Sequence, residues 1–115
     1  MYRDFFSHVN ELLKIRVQLL DEANLPVDLS QTNVEFATAI DLESPAIQIL
    51  SLENGIDILD GNTAIIEVNF FPTANAGFKD TDLVYQLQMT SNTGEVKICL
   101  EGKIYITPSL FDTIN

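Results

Sequence analysis

Five stretches of this chain change polarity at every second residue, and that period restricts the fold more than any other feature. From residue 13 to residue 19, Leu13, Ile15, Val17 and Leu19 alternate with Lys14, Arg16 and Gln18. Such a pattern gives one apolar face and one wet face only in an extended chain, where successive side chains point to opposite sides. The same rhythm runs through residues 33–40, with Val34, Phe36, Thr38 and Ile40 against Glu35, Ala37 and Ala39. It recurs in Ile66, Val68 and Phe70, in Leu83, Tyr85, Leu87 and Met89, and in Val96, Ile98, Leu100, Ile104 and Ile106. Residues 46–50 and 56–59 add two shorter apolar runs. Turn-forming residues separate these segments: Asp21 to Asn24 with Pro26, Asn54-Gly55, Asp60-Gly61-Asn62, and Ser91 to Gly94.

Seven short strands with one apolar face each predict an all-β protein. The expected form is an immunoglobulin-like antiparallel β-sandwich over residues 13–108, two sheets sharing one core. Residues 1–12 are expected as a short N-terminal helix or arm and residues 109–115 as a tail. The helix expectation rests on Phe5, Val9 and Leu12, which fall at the i, i+4, i+7 spacing of an amphipathic helix, with Asp4 as its cap. Phe5 and Phe6 then either lie over an open end of the sandwich or anchor the arm on a neighbouring subunit.

With 115 residues the chain forms one domain, able to bury roughly 65% of its unfolded surface in a single core. Its net charge of −11 is concentrated. Between Asp21 and Asp82 stand twelve carboxylates and one base, Lys79, whereas the remainder carries five acids and five bases. Four of those bases, Lys14, Arg16, Lys97 and Lys103, lie in the outermost of the seven predicted strands. In a sandwich these two strands commonly run side by side, which would join the four into a basic strip suited to acidic neighbours. Edge lysines also discourage unwanted strand pairing. The acidic balance repels phosphate backbones and anionic lipid, so neither nucleic acid nor membrane is expected as a partner. A lone cysteine, Cys99, forms no internal disulfide, and folding in a reducing cytoplasm is expected.

The residues offer little for catalysis. His8 is the only histidine and lies in the arm; a nucleophilic pair would need Cys99, which sits at a strand position with no helix start or glycine-rich elbow to activate it. One Cys and one His are too few for a zinc site. Around Asp57 to Glu67 the spacing of Gly61 and Glu67 matches an EF-hand loop, yet its first and third ligand positions are Ile56 and Ile58. Asp80-Thr81-Asp82 could lend carboxylates to a weak calcium site. The glycines are isolated, which excludes a phosphate-cradling loop, and Gly102 reads as a bulge or bend in the last strand. No catalytic residue, cofactor or metal is expected.

Three motifs carry a family resemblance. The segment from Tyr85 to Val96, Tyr-Gln-Leu-Gln-Met-Thr-Ser-Asn-Thr-Gly-Glu-Val, leads to Leu100-Glu-Gly-Lys-Ile-Tyr-Ile-Thr-Pro108, and Val17 to Ser30 ends in Pro26-Val-Asp-Leu-Ser. Together these resemble the immunoglobulin-like structural proteins of tailed bacteriophages, similar to the N-terminal domain of baseplate upper proteins. The resemblance covers residues 13–108. Phe78 to Leu83 lacks the glycine that usually precedes the tyrosine strand, and residues 1–12 have no counterpart. It implies a non-enzymatic virion protein of tail, baseplate or neck, made in the host cytoplasm and assembled in multiple copies with other virion proteins or with itself. Phe5, Phe6, Lys14, Arg16, Lys97 and Lys103 are then the expected protein interface. The alternative is a receptor- or glycan-binding sandwich on the virion surface, including capsid decoration, using loops 41–45 and 73–82.

Overall fold

Each alternating segment becomes a strand in the computed structural model, which describes residues 1–72 and 82–107. The expected tail and most of the 73–82 loop, including Asp80 and Thr81, lie outside the described residues. The strands are β1 (Phe5–His8), β2 (Leu13–Gln18), β3 (Thr32–Ala39), β4 (Gln48–Leu52), β5 (Gly55–Asp60), β6 (Ile65–Phe70), β7 (Asp82–Ser91) and β8 (Val96–Thr107). Their order is β1-β8-β7-β3-β4-β5-β6-β2. The protein is all-β, and the sheet curls so that its two ends approach each other and close most of the way around one interior.

Inward positions are those the alternation marks. Val34 and Phe36 of β3, Ile66, Val68 and Phe70 of β6, and Leu83, Tyr85 and Leu87 of β7 are buried together with Ile15, Leu100, Ile104 and Ile106. Ring stacking crosses the interior: Phe36 lies 6.0 Å from Phe70 and 5.4 Å from Tyr85, and Phe5 lies 5.6 Å from Tyr85. Ile40 and Val96 depart from the pattern. β3 ends one residue before Ile40, Val96 is the first residue of β8, and both side chains are exposed.

Three expectations are corrected. The chain has eight strands among the described residues, not seven, because residues 5–8 form a strand where a helix was expected. A single helical turn cannot hold itself together in water. Beside an open strand edge, these residues gain a ladder instead. Phe5 pairs with Ile104, Ser7 with Ile106 and His8 with Thr107, in parallel register. The sheet is therefore mixed, not wholly antiparallel; β4 and β5 also meet in parallel, over two residue pairs at a tight turn.

The arm's course explains Gly102. Arg3 N–H donates to the Glu101 carbonyl at 2.9 Å, the Tyr85 hydroxyl donates to the Arg3 carbonyl at 2.6 Å, and the Lys103 N–H donates to Asp4 Oδ1 at 2.9 Å. A Cβ on residue 102 would overlap the Arg3 carbonyl group. Gly102 is thus the point where the arm's backbone crosses close over β8, not a bulge; the register of β7 against β8 shifts between Leu87 and Gln88, beside Cys99. Beyond β1, Val9 donates to the Thr107 carbonyl at 3.0 Å and Asn10 donates to Pro72 at 2.8 Å, with Asn10 at a φ of 64° as the chain turns into β2. Gly102→Ala should therefore lift the arm from β8 and destabilise the domain by about 1–3 kcal/mol, the usual cost of forcing extra atoms into a packed site. Thermal unfolding measures the loss, and slower amide exchange elsewhere than in residues 2–8 localises it.

Candidate docking surface

The six residues expected at an interface fall into separate places. Phe5 and Phe6 are neighbours on β1 and so point to opposite faces. Phe5 packs inward against the core, with the Arg3 guanidinium 5.0 Å from its ring centre. Phe6 points out, is 75% exposed, and stacks on Tyr105 at 5.0 Å with the rings 20° apart. Phe6 and Tyr105 face each other across the β1–β8 ladder, so the pair is held by backbone pairing on both sides. Tyr2 is exposed beside the same ladder. Lys103, also outward on β8, borders a shallow hollow with Ile40, Leu42 and Val84.

Lys14 and Arg16 are engaged within the domain. Both reach across to Glu67 of β6: Arg16 Nε lies 2.7 Å from one carboxylate oxygen and Lys14 Nζ 3.4 Å from the other. Glu67 stands on the outer face but is only 5% exposed, because these two long side chains cover it. The Arg16 hydrogen bond, with the Lys14 charge beside it, holds the Glu67 carboxyl below the usual carboxylate range, against the opposing effect of its burial. Lys97 reaches across the seam between β8 and β2 to donate to the Leu20 carbonyl at 3.4 Å. A continuous basic strip is not formed. Residues 1–4 and β1 lie beside β8 along residues 101–107, the place that a strip running from β2 to Lys103 would require.

The acidic block has a local cause that composition does not reveal. Asp21 Oδ1 accepts from the Ala23 and Leu25 amides at 2.8 and 3.0 Å, Asp41 from Glu43 at 2.9 Å, and Asp60 from Asn62 at 3.0 Å. Asp28 accepts from the Ser30 hydroxyl at 2.6 Å and its amide at 3.0 Å, bonds that lower its pKa. These carboxylates fold turns.

His8 and Cys99 are too far apart to act together. His8 pairs with Thr107, eight residues along β8 from Cys99, a separation of about 26 Å at strand rise. His8 Nδ1 instead lies 3.5 Å from Glu11, on the exposed surface. Burial raises the pKa of Cys99. Among the described residues no group of three or more His, Cys, Asp or Glu side chains is placed to hold a metal ion. Nor is any helix there long and apolar enough to cross a membrane. The surface feature that sequence reasoning missed is Tyr105: its alternation with Ile104 and Ile106 marks it as outward, but its partner could be assigned only once β1 was known to lie beside β8.

Glu67 gives a pH-dependent test. Its folded pKa is depressed, so its ionised form stabilises the fold above the ordinary glutamate value of about 4.3, and that contribution disappears as pH falls through the lower folded value. Glu67→Gln should lower the melting temperature at neutral pH. The gap to the native chain should close on acidification below about pH 4.3, as followed by circular dichroism melts across pH 2–8; a gap independent of pH would show that the ion pairs add nothing.

No known protein-family model matches the sequence, and no curated protein matches it.

Proposed function

We propose that this chain is a non-enzymatic structural protein of a tailed bacteriophage virion, an assembly module of tail, baseplate or neck with an immunoglobulin-like sandwich fold. The connectivity supports the fold reading. Strands β1, β8, β7, β3 and β4 stand for one sheet and β5, β6 and β2 for the other, with the closing β7–β8 hairpin central and the first strand parallel to the last. The tryptophan and inter-sheet disulfide of antibody domains are absent, and aliphatic and phenylalanine packing replaces them. The motifs around Tyr85, Gly94 and Gly102 support the virion assignment by resemblance.

The observation that carries the assembly role is the Phe6–Tyr105 stack. An aromatic pair standing in solvent on a rigid ladder offers broad apolar contact with little motion left to lose, which is what interface hot spots share. Tyr2 and Lys103 extend it with hydrogen-bonding and charged edges. In this reading multiple copies, or copies with other virion proteins, meet through this face of β1 and β8.

Phe6→Ser tests it. The substitution leaves the core intact and should cost at most about 1 kcal/mol, the worth of one exposed aromatic stack. Incorporation of the chain into particles formed by its source, read by quantitative mass spectrometry of purified virions, should fall at least about thirtyfold, as loss of an interface hot spot of about 2 kcal/mol implies. Absence of the native chain from such particles, or undiminished incorporation of the variant, would overturn the reading.

A further inference from the structure

The two ends of the curled strand order leave a seam, and only half of it is filled. β1 and the residues before it lie along β8 from Glu101 to Thr107, with the Glu101 amide donating to the Met1 carbonyl at 3.0 Å. Upstream of that point, residues 96–100 of β8 pair with β7 on one side and with no described strand on the other. Across the seam β2 pairs with β6 on one side, and its second edge is likewise without a strand among the described residues. Between them runs a groove of about 450 Å³. Ile15, Leu19 and Leu100 form its apolar floor, and Arg3, Arg16 and Lys97 are its charged lining. No carboxylate lines it, on a chain whose net charge is −11.

Topology gives the same place a meaning. In an immunoglobulin-like sandwich the first strand ordinarily pairs beside the second, at the edge that β2 occupies here. This chain's first described strand pairs with the last one instead, and the position beside β2 is left as the groove. An unpaired strand edge is a template for an incoming strand, which gains main-chain hydrogen bonds and seats alternate side chains in the apolar floor. Arg3 and Lys97 select the sign of the remaining side chains, since the Arg16 charge is paired with Glu67.

We propose that this groove binds an extended acidic segment of a partner protein, which adds as a strand against the free edges of β2 and β8, in line with β1. The segment seats apolar side chains at alternate positions over Ile15, Leu19 and Leu100, and its carboxylates meet Arg3 and Lys97. The open stretch of β8 from Val96 to Leu100 sets the length of the added strand at about 17 Å. The site is distinct from the Phe6–Tyr105 face and does not depend on it.

Cys99 lines the groove and is the chain's single cysteine, so its alkylation reports occupancy without any mutation. The probes are two short synthetic peptides, one alternating valine with glutamate and one alternating valine with lysine, added to the full chain. The glutamate peptide should slow iodoacetamide labelling of Cys99 saturably and shift the amide resonances of residues 13–18 and 96–100, with an affinity that falls on raising salt. The lysine peptide should do neither. Charge reversal by Arg3→Glu with Lys97→Glu should weaken the glutamate peptide about tenfold, as the loss of two exposed ion pairs implies; the paired variant Arg3→Gln with Lys97→Gln, which keeps more of the native surface, should weaken it less. Equal protection by both peptides, protection by neither, or resonance shifts confined to the Phe6–Tyr105 face would overturn the proposal. Protection of Cys99 that grows with protein concentration when no peptide is present would assign the groove to a second copy and overturn it as well.

Discussion

Four aromatic rings in a row connect β1, at one end of the strand order, to β6, next to the other end. Phe70 of β6 meets Phe36 of β3, Phe36 stacks on Tyr85 of β7, and Tyr85 meets Phe5 of β1. Backbone pairing joins each strand only to its neighbours, and the β4–β5 junction that links the two halves of the sheet holds just two residue pairs. The halves are therefore held by what they bury between them. Each ring removes a large apolar area from water, and the tilted and offset geometries avoid the repulsion of ring faces placed squarely together. The register of every strand follows, since a slip of one residue would turn these rings out to solvent.

Tyr85 joins that interior to the edge of the fold. Its ring belongs to the core, while its hydroxyl bonds the Arg3 carbonyl. Burial pushes the ionisation of this hydroxyl far above the ordinary tyrosine value, so it remains a donor throughout the physiological range. With the missing Cβ of Gly102 beneath it, the arm can lie flat on β8, and only then does Phe6 come to rest on Tyr105. One inward ring thus fixes the position of an outward one. The candidate docking surface is a consequence of core packing, carried outward through three residues of backbone.

Much of this is readable in the amino acids and some is not, for physical reasons. Period-two alternation marks β2, β3, β6, β7 and β8, because burial on one face is a property of the segment itself, whereas β4 and β5 show only as short apolar runs. It cannot tell which strands are neighbours, since any apolar face satisfies any other. Residues 5–8 are too few to show a period, and Phe5, Val9 and Leu12 fit a helix as well as a strand; the choice falls to the unpaired edge of β8, which lies some hundred residues away in the chain. The basic strip fails for the same reason. Lys14 and Arg16 do face outward as their alternation requires, but their partner Glu67 is set by the pairing of β2 with β6. The acidic block, so prominent in composition, is legible after the fact as turn chemistry at four of its twelve carboxylates. Asp21, Asp28, Asp41 and Asp60 each sit two residues ahead of an amide that they accept from.

A sheet that curls nearly shut must deal with two remaining edges. Residues 1–8 cover one along about half its length, and on the other the chain turns back after β2, where Val27 donates to the Leu19 carbonyl at 3.1 Å and Pro26 bridges Leu20. Proline and long cations beside an edge oppose indiscriminate strand pairing. Arg3, Arg16 and Lys97 around the open stretch are consistent with that protective role, but repulsion acts only against strands of like charge. Toward a carboxylate-bearing strand the same side chains attract. Protection and selection are therefore one electrostatic arrangement seen by different strands, and on a chain of net charge −11 three of the six bases, Arg3, Arg16 and Lys97, line a seam with open strand edges.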